Sequence, residues 1–287
     1  MKTKEDITFA EHTLGVVRYA AEKGMRVNVT TNGDYVKEDI LEQLRDAGVD
    51  MLTFSLHTLT NPGLDRLIKG ARMATDKGII ADINVVFTND RVDILSKIAA
   101  KCAENGVLFS TSVVQEYEGG FSSVPEHSKI PTPEQQREVF EQLFALKRSG
   151  FVRNSTNYLT DAPEYPENSW RCSPEQDAFA YMRSEGEGEI GVCLEAHTDY
   201  KIGDTQLDDE KWRRDKRSLV ANCNNFLYNG TFGTQNSTMR GEMGTYTNML
   251  VIKAGQAERV EERGKRAVAN LRKKGVLAPV SGAIFSK

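Results

Sequence analysis

The sequence predicts an α/β fold, a partial (βα) barrel of parallel strands followed by a small α+β module. Four strand-like runs recur through the first 116 residues, at Arg26 to Thr31, Met51 to Ser55, Ile80 to Phe87 and Val107 to Gln115. Amphipathic helix patterns fill the intervals of roughly 25 to 30 residues between them, which is the repeat of βα units feeding a parallel sheet. Beyond residue 153 the apolar runs shorten, Asn, Asp, Gly and Thr accumulate, and three of the four cysteines appear. Each strand-like run ends in small polar residues, and in such folds the strand ends form the ligand mouth. The four runs amount to half of an eight-stranded TIM-type barrel.

The elements follow in order. Phe9 to Gly24 carries Leu14, Val17 and Ala21 on one helical face with Gly24 as the stop. The first strand runs into Asn32-Gly33-Asp34, and Val36 to Ala47 restarts the helical period before Gly48. The second strand leads to His57, then Leu64 to Lys77 reads as a helix stopped at Gly78. The third strand closes on Thr88-Asn89-Asp90, and Asp93 to Asn105 is a helix ended by Gly106. The fourth strand follows.

Gly119 to Pro133 interrupts the rhythm with two glycines, three serines and three prolines. Thr132-Pro133-Glu134-Gln135 is a helix start, with Thr132 as cap and Gln135 at its third position, for a helix to about Arg148. The expected organisation is a partial barrel over 1–118, a linker and bridging helix over 119–153, a cysteine-bearing module over 154–240 and a helical tail over 241–287. In the tail, Gln256 to Lys274 places Val260, Ala267 and Leu271 on one face, with seven Lys or Arg against three Glu. A helix docked on the surface is the expectation.

Composition narrows the function classes. A chain of 287 residues buries enough apolar surface to need no disulfide staples. The net charge of −4 argues against nucleic acid as a direct partner. No run of 18 apolar residues predicts a membrane span, and the polar start Met1-Lys2-Thr3-Lys4 carries no secretory pattern, so a cytoplasmic location is expected.

The cysteines differ in setting. Cys102 sits beside Ala99, Ala100 and Ala103 in a helix, where a free thiol behaves as a small hydrophobe. Cys172, Cys193 and Cys223 have polar neighbours such as Arg171, Glu195 and Asn222. Three converging thiolates suit zinc or an iron-sulfur cluster, which would also staple a core-poor module. Intervals of 20 and 29 residues contain no Cys-x-x-Cys pair, so the spacing alone leaves ligation and unrelated thiols both open.

The order of these features resembles the radical SAM superfamily with a C-terminal auxiliary-cluster domain of the SPASM or Twitch type. Gly24 to Gly33, with its Thr31-Asn32-Gly33 ending, is similar to the family's third barrel strand. Ala47 to His57 is similar to the fourth, whose serine, here Ser55, meets S-adenosylmethionine. Asp82 to Val86 resembles the fifth, where a polar side chain, here Asn84, reaches the nucleoside, and Gln115 or Glu116 lies at the end of the sixth. Arg171-Cys172, the sheet-like stretch to Cys193, then Ile202-Gly203, Trp212 and Asn222-Cys223 resemble the auxiliary domain's order of Cys, hairpin, Cys, Gly, Trp, Cys.

The resemblance implies Asn32, Ser55, Asn84 and Gln115 as cofactor-facing residues and Cys172, Cys193 and Cys223 as ligands of an auxiliary 4Fe-4S cluster. It also implies a small-molecule or peptide substrate and a reductant such as flavodoxin or ferredoxin. The sequence departs from the family where the S-adenosylmethionine-cleaving cluster is held. No Cys-x-x-x-Cys-x-x-Cys loop occurs in the chain, nor does a Gly-Gly-Glu-like second-strand motif. A reading frame begun at an internal Met accounts for this, and the polypeptide alone is not expected to generate the radical.

Plainer readings stand beside these: Ser55 as a helix cap, Asn32 as a source of turn geometry, Asn84 as a group satisfying a strand end, and His57 as a solvated loop histidine. Asp208-Asp209-Glu210, next to Lys211, Arg213 and Arg214, reads as a charged helix face. Two functions follow: a radical SAM-type enzyme fragment with an auxiliary cluster, or an inactive binding or scaffold protein with structural zinc or no metal.

Overall fold

The computed structural model describes residues 4–57, 59–114, 130–161, 163, 181–182, 189–191, 197–201, 210–211, 214–215, 217–218, 257–279 and 284–285. Helix α1 (Lys4–Glu22) leads to β1 (Asn28–Thr31), α2 (Glu38–Ala47), β2 (Met51–Ser55), α3 (Asn61–Asp76) and β3 (Ile80–Phe87). A 3-10 turn (Asn89–Arg91), α4 (Val92–Glu104) and β4 (Leu108–Val113) follow. The four strands are parallel and adjacent in chain order, β1-β2-β3-β4. The expected α/β architecture is therefore present as a mixed fold with a four-stranded parallel sheet, which is compatible with part of a barrel.

Local chemistry sets most boundaries. Gly48 leaves α2 in the left-handed region, φ 100, where a side chain would strain the backbone. Helix α3 starts three residues before the apolar period at Leu64, because the Thr60 hydroxyl accepts from the Gly63 amide at 3.2 Å and Pro62 suits the first turn. β1 starts at Asn28 rather than Arg26 because the preceding residues are held by Asp50. Its carboxylate accepts from the Val27 amide at 3.0 Å and from the Arg26 guanidinium at 2.5 Å.

Strand alternation divides the sheet into two faces. Leu52, Phe54, Ile83, Val85, Phe87 and Phe109 turn to the helices and are buried. The Phe54 ring lies close to Gly33 and Gly70: a Cβ on Gly33, φ +77, would come 2.6 Å from Leu67 and 3.2 Å from Phe54. The other face carries Asn28, Thr30, Thr53, Ser55, Asp82, Asn84, Ser110 and Ser112.

Helices α5 (Pro133–Arg148) and α6 (Thr156–Asp161) extend this layer. The expected capping box is present, with the Thr132 hydroxyl and the Gln135 side chain each accepting from the other's backbone amide. Phe140 bridges Phe87 and Tyr158 at ring separations of 6.0 and 5.8 Å. The segment expected as linker and bridging helix supplies α5 and then a fifth parallel neighbour. The Phe109 amide donates to the Phe151 carbonyl at 2.9 Å and the Arg153 amide to the Phe109 carbonyl at 2.8 Å. One bridge is too short for periodicity to reveal.

A separate antiparallel sheet, β5 (Tyr181–Met182), β6 (Glu189–Gly191) and β7 (His197–Lys201), lies within the cysteine-bearing part of the chain. Helix α7 (Ala257–Lys273) docks on α3, α4 and α5. It buries Val260 and Val268 and pairs Glu261 with Arg72 at 2.7 Å and Arg272 with Glu104 at 2.5 Å. Asn61 ties down the chain's last described residues, donating to the Phe285 carbonyl at 3.0 Å and accepting from the Ile284 amide at 2.9 Å.

Candidate functional site

The inner face of the parallel sheet concentrates the polar groups. At its centre Asp82 is fully buried, 0% exposed. Its Oδ2 accepts from Ser110 Oγ at 2.5 Å and from Arg153 Nε at 2.7 Å. Arg153 Nη2 also reaches Ser110 Oγ at 3.3 Å, and Asn84 Nδ2 donates to the same oxygen at 2.9 Å. Nearby, Thr53 Oγ1 donates to Asn28 Oδ1 at 3.2 Å. Asp82 Oδ1 is buried without a hydrogen-bond partner among the described residues. Buried carboxylate oxygens are ordinarily satisfied, so this one has an acceptor position open to water or a further donor.

Ser55 ends β2, half-buried, and pairs in register with Asn84. Asn84 is also half-buried but stands three residues before the end of β3 at Phe87. The stagger of parallel strands brings the middle of β3 level with the end of β2. Asn32 is exposed, and its Oδ1 accepts from the Asp34 amide at 3.1 Å, while Thr31 Oγ1 accepts from the Gly33 amide at 3.1 Å. The structure thus brings Ser55 and Asn84 together and commits Asn32 to shaping its turn. Gln115, Cys172, Cys193 and Cys223 lie outside the described residues.

Cys102 is buried, and desolvation pushes its thiol pKa far up, so it stays neutral and inert. Among the described residues no group of three His, Cys, Asp or Glu side chains is placed to hold a metal ion. Nor is any described helix long and apolar enough to cross a membrane. A groove of about 470 Å³, lined in part by Phe140, Phe144, Leu159 and Val276, opens in the helical layer, away from the polar face.

Sequence reasoning did not single out Asp82, Ser110 or Arg153 as site residues. The signal for Asp82 and Ser110 was the alternating pair of polar residues in each strand, Asp82 and Asn84 in β3 and Ser110 and Ser112 in β4. Parallel strands covered on both faces read as continuous apolar runs, so this alternation marks one face open to polar company.

A four-stranded parallel sheet with polar residues on one face, compatible with part of a barrel, is a frame for a polar ligand held at strand ends. No family model matches the chain. Over 103 residues it is 30% identical to the Probable GTP 3',8-cyclase of Metallosphaera sedula, covering 32% of this chain and 32% of that protein. The chain thus spans about a third of the length of the relative it matches.

Proposed function

We propose that this chain takes part in radical SAM-type chemistry, with the inner face of β1 to β4 turned toward S-adenosylmethionine. The observation that carries this reading is the 103-residue likeness to a probable GTP 3',8-cyclase, an enzyme of the radical SAM type. The polar inner face fits it: Ser55 and Asn84 stand side by side in register, beside Ser110. Asn32 and Gln115 are the further cofactor-facing candidates. Bound S-adenosylmethionine, when reduced by a cluster, supplies a carbon-centred radical that abstracts hydrogen. The residues of this chain would bind and orient the nucleoside and keep water out.

Cys172, Cys193 and Cys223 are proposed as the thiolate ligands of an auxiliary 4Fe-4S cluster in a SPASM- or Twitch-like module. Three soft donors in a core-poor segment favour iron and sulfide over hard cations. The Cys-x-x-x-Cys-x-x-Cys loop has no counterpart within the 287 residues, so radical generation is assigned to a form that carries such a loop. The substrate is a small molecule or peptide, and a flavodoxin or ferredoxin is the fitting reductant.

Anaerobic reconstitution of the chain with iron and sulfide, followed by metal counting and EPR after reduction, tests the auxiliary site. A cluster signal that disappears in Cys193→Ala is the expected result. Unchanged iron content in that variant rejects the ligand assignment. Calorimetric titration with S-adenosylmethionine tests the inner face, and loss of binding in Ser55→Ala is expected.

A further inference from the structure

We propose that Asp82 acts as a positioning residue which, through Ser110, locks the Asn84 side chain with its carbonyl oxygen turned to the ligand. The inference rests on the proposed nucleoside site only for the identity of that ligand. Its basis is proton accounting at a single hydroxyl.

Ser110 Oγ has three neighbours: Asp82 Oδ2 at 2.5 Å, Arg153 Nη2 at 3.3 Å and the Asn84 amide at 2.9 Å. A hydroxyl has one proton to give and two lone pairs to receive with. A guanidinium only donates, so Arg153 takes one lone pair. The carboxylate, facing that guanidinium at 2.7 Å, only accepts and takes the single proton. One lone pair is left for Asn84. The group of Asn84 that meets Ser110 must therefore be its NH2, and the flipped amide would set two lone-pair-bearing oxygens against each other.

The amide orientation follows from the network rather than from Asn84 itself. With Nδ2 committed to Ser110, Oδ1 is left for the inner face, level with Ser55. The site consequently selects a ligand that donates there, such as a ribose hydroxyl, and disfavours one presenting only acceptors. Replacing the carboxylate removes the acceptor that obliges Ser110 to point its proton away from Asn84. Asp82→Leu is close in size and shape, offers no acceptor and would free the Asn84 amide to turn.

Two measurements on the 287-residue chain test this. In 15N-labelled protein without ligand, the Asn84 side-chain NH2 should exchange slowly, and Asp82→Leu and Ser110→Ala should each speed that exchange at least tenfold. Unchanged exchange in both variants overturns the lock. In calorimetric titrations, 5′-deoxyadenosine should bind at least tenfold more tightly than its 2′-deoxy or its 3′-deoxy analogue. Asp82→Leu should shrink that difference below threefold. Binding that ignores both hydroxyls, or discrimination that survives Asp82→Leu, overturns the selective role. If the exchange result holds and 5′-deoxyadenosine does not bind, the nucleoside reading falls and the lock stands.

Discussion

Arg153 Nε donates to Asp82 Oδ2 at 2.7 Å across 71 residues of chain. The carboxylate is fully buried, whereas the guanidinium side chain is 26% exposed. A buried charge is tolerated only when paired, so this contact clamps the segment after α5 onto β3.

Removing the cation strands the anion. Arg153→Ala is expected to cost about 3–5 kcal/mol, the range for breaking a buried pair from one side. Urea unfolding measures it. The double variant Arg153→Met with Asp82→Leu should recover much of the loss, because it leaves no charge uncompensated. A single variant as stable as the parent would refute the clamp.

Tyr158 fastens the C-terminal end of β4. Its hydroxyl oxygen accepts from the Val113 amide at 3.0 Å, and burial pushes the phenol pKa well up, so the ring stays neutral. Tyr158→Phe leaves a buried amide unpaired and should destabilise by about 1–3 kcal/mol. Hydrogen exchange at Val113 should accelerate while exchange in β1 and β2 changes little. Equal acceleration throughout the sheet would contradict the local role.

Gly264 is where α7 meets the end of α4. A Cβ there would lie 1.6 Å from the Ala103 carbonyl oxygen and 3.1 Å from Phe151. Gly264→Ala must push the two helices apart and should cost about 1–3 kcal/mol, as overpacking does. Proteolysis of the C-terminal helix should speed up. Gly15→Ala in α1, with nothing within 4 Å, should instead stabilise by about 0.5–1 kcal/mol. A thermal melt separates the two.

Docking of α7 also responds to acid. Hydrogen bonding from Lys265, aided by the charge of Arg72 and against a smaller burial effect, holds the Glu261 carboxyl below its ordinary range. A lowered folded-state pKa stabilises above the unfolded value and is lost as pH falls through the folded one. The melting temperature should thus decline on acidification below the ordinary carboxylate range, and Glu261→Gln should flatten part of that decline. An unaltered acid limb in the variant would show that Glu261 is not among the groups responsible.

Much of the fold is legible before folding because helix and strand periods are local. The glycine stops at 48, 78 and 106 all adopt positive φ, and the Thr132 capping box closes as its spacing requires. Ser55 at the end of β2 was readable for the same reason. Asn84 was identified by residue type, but its level was not, since strand stagger depends on pairing between neighbours rather than on either strand alone.

By itself the sequence determined the alternation of helices and strands and the alternating polar pairs Asp82 and Asn84 in β3 and Ser110 and Ser112 in β4. These follow from backbone geometry and burial acting within a few residues. Tertiary structure alone decided that Arg153 reaches Asp82, that Ser110 shares its hydroxyl among three groups, and that α7 returns to α4. Such contacts join residues far apart in the chain, and their energy is realised only when the intervening loops have closed.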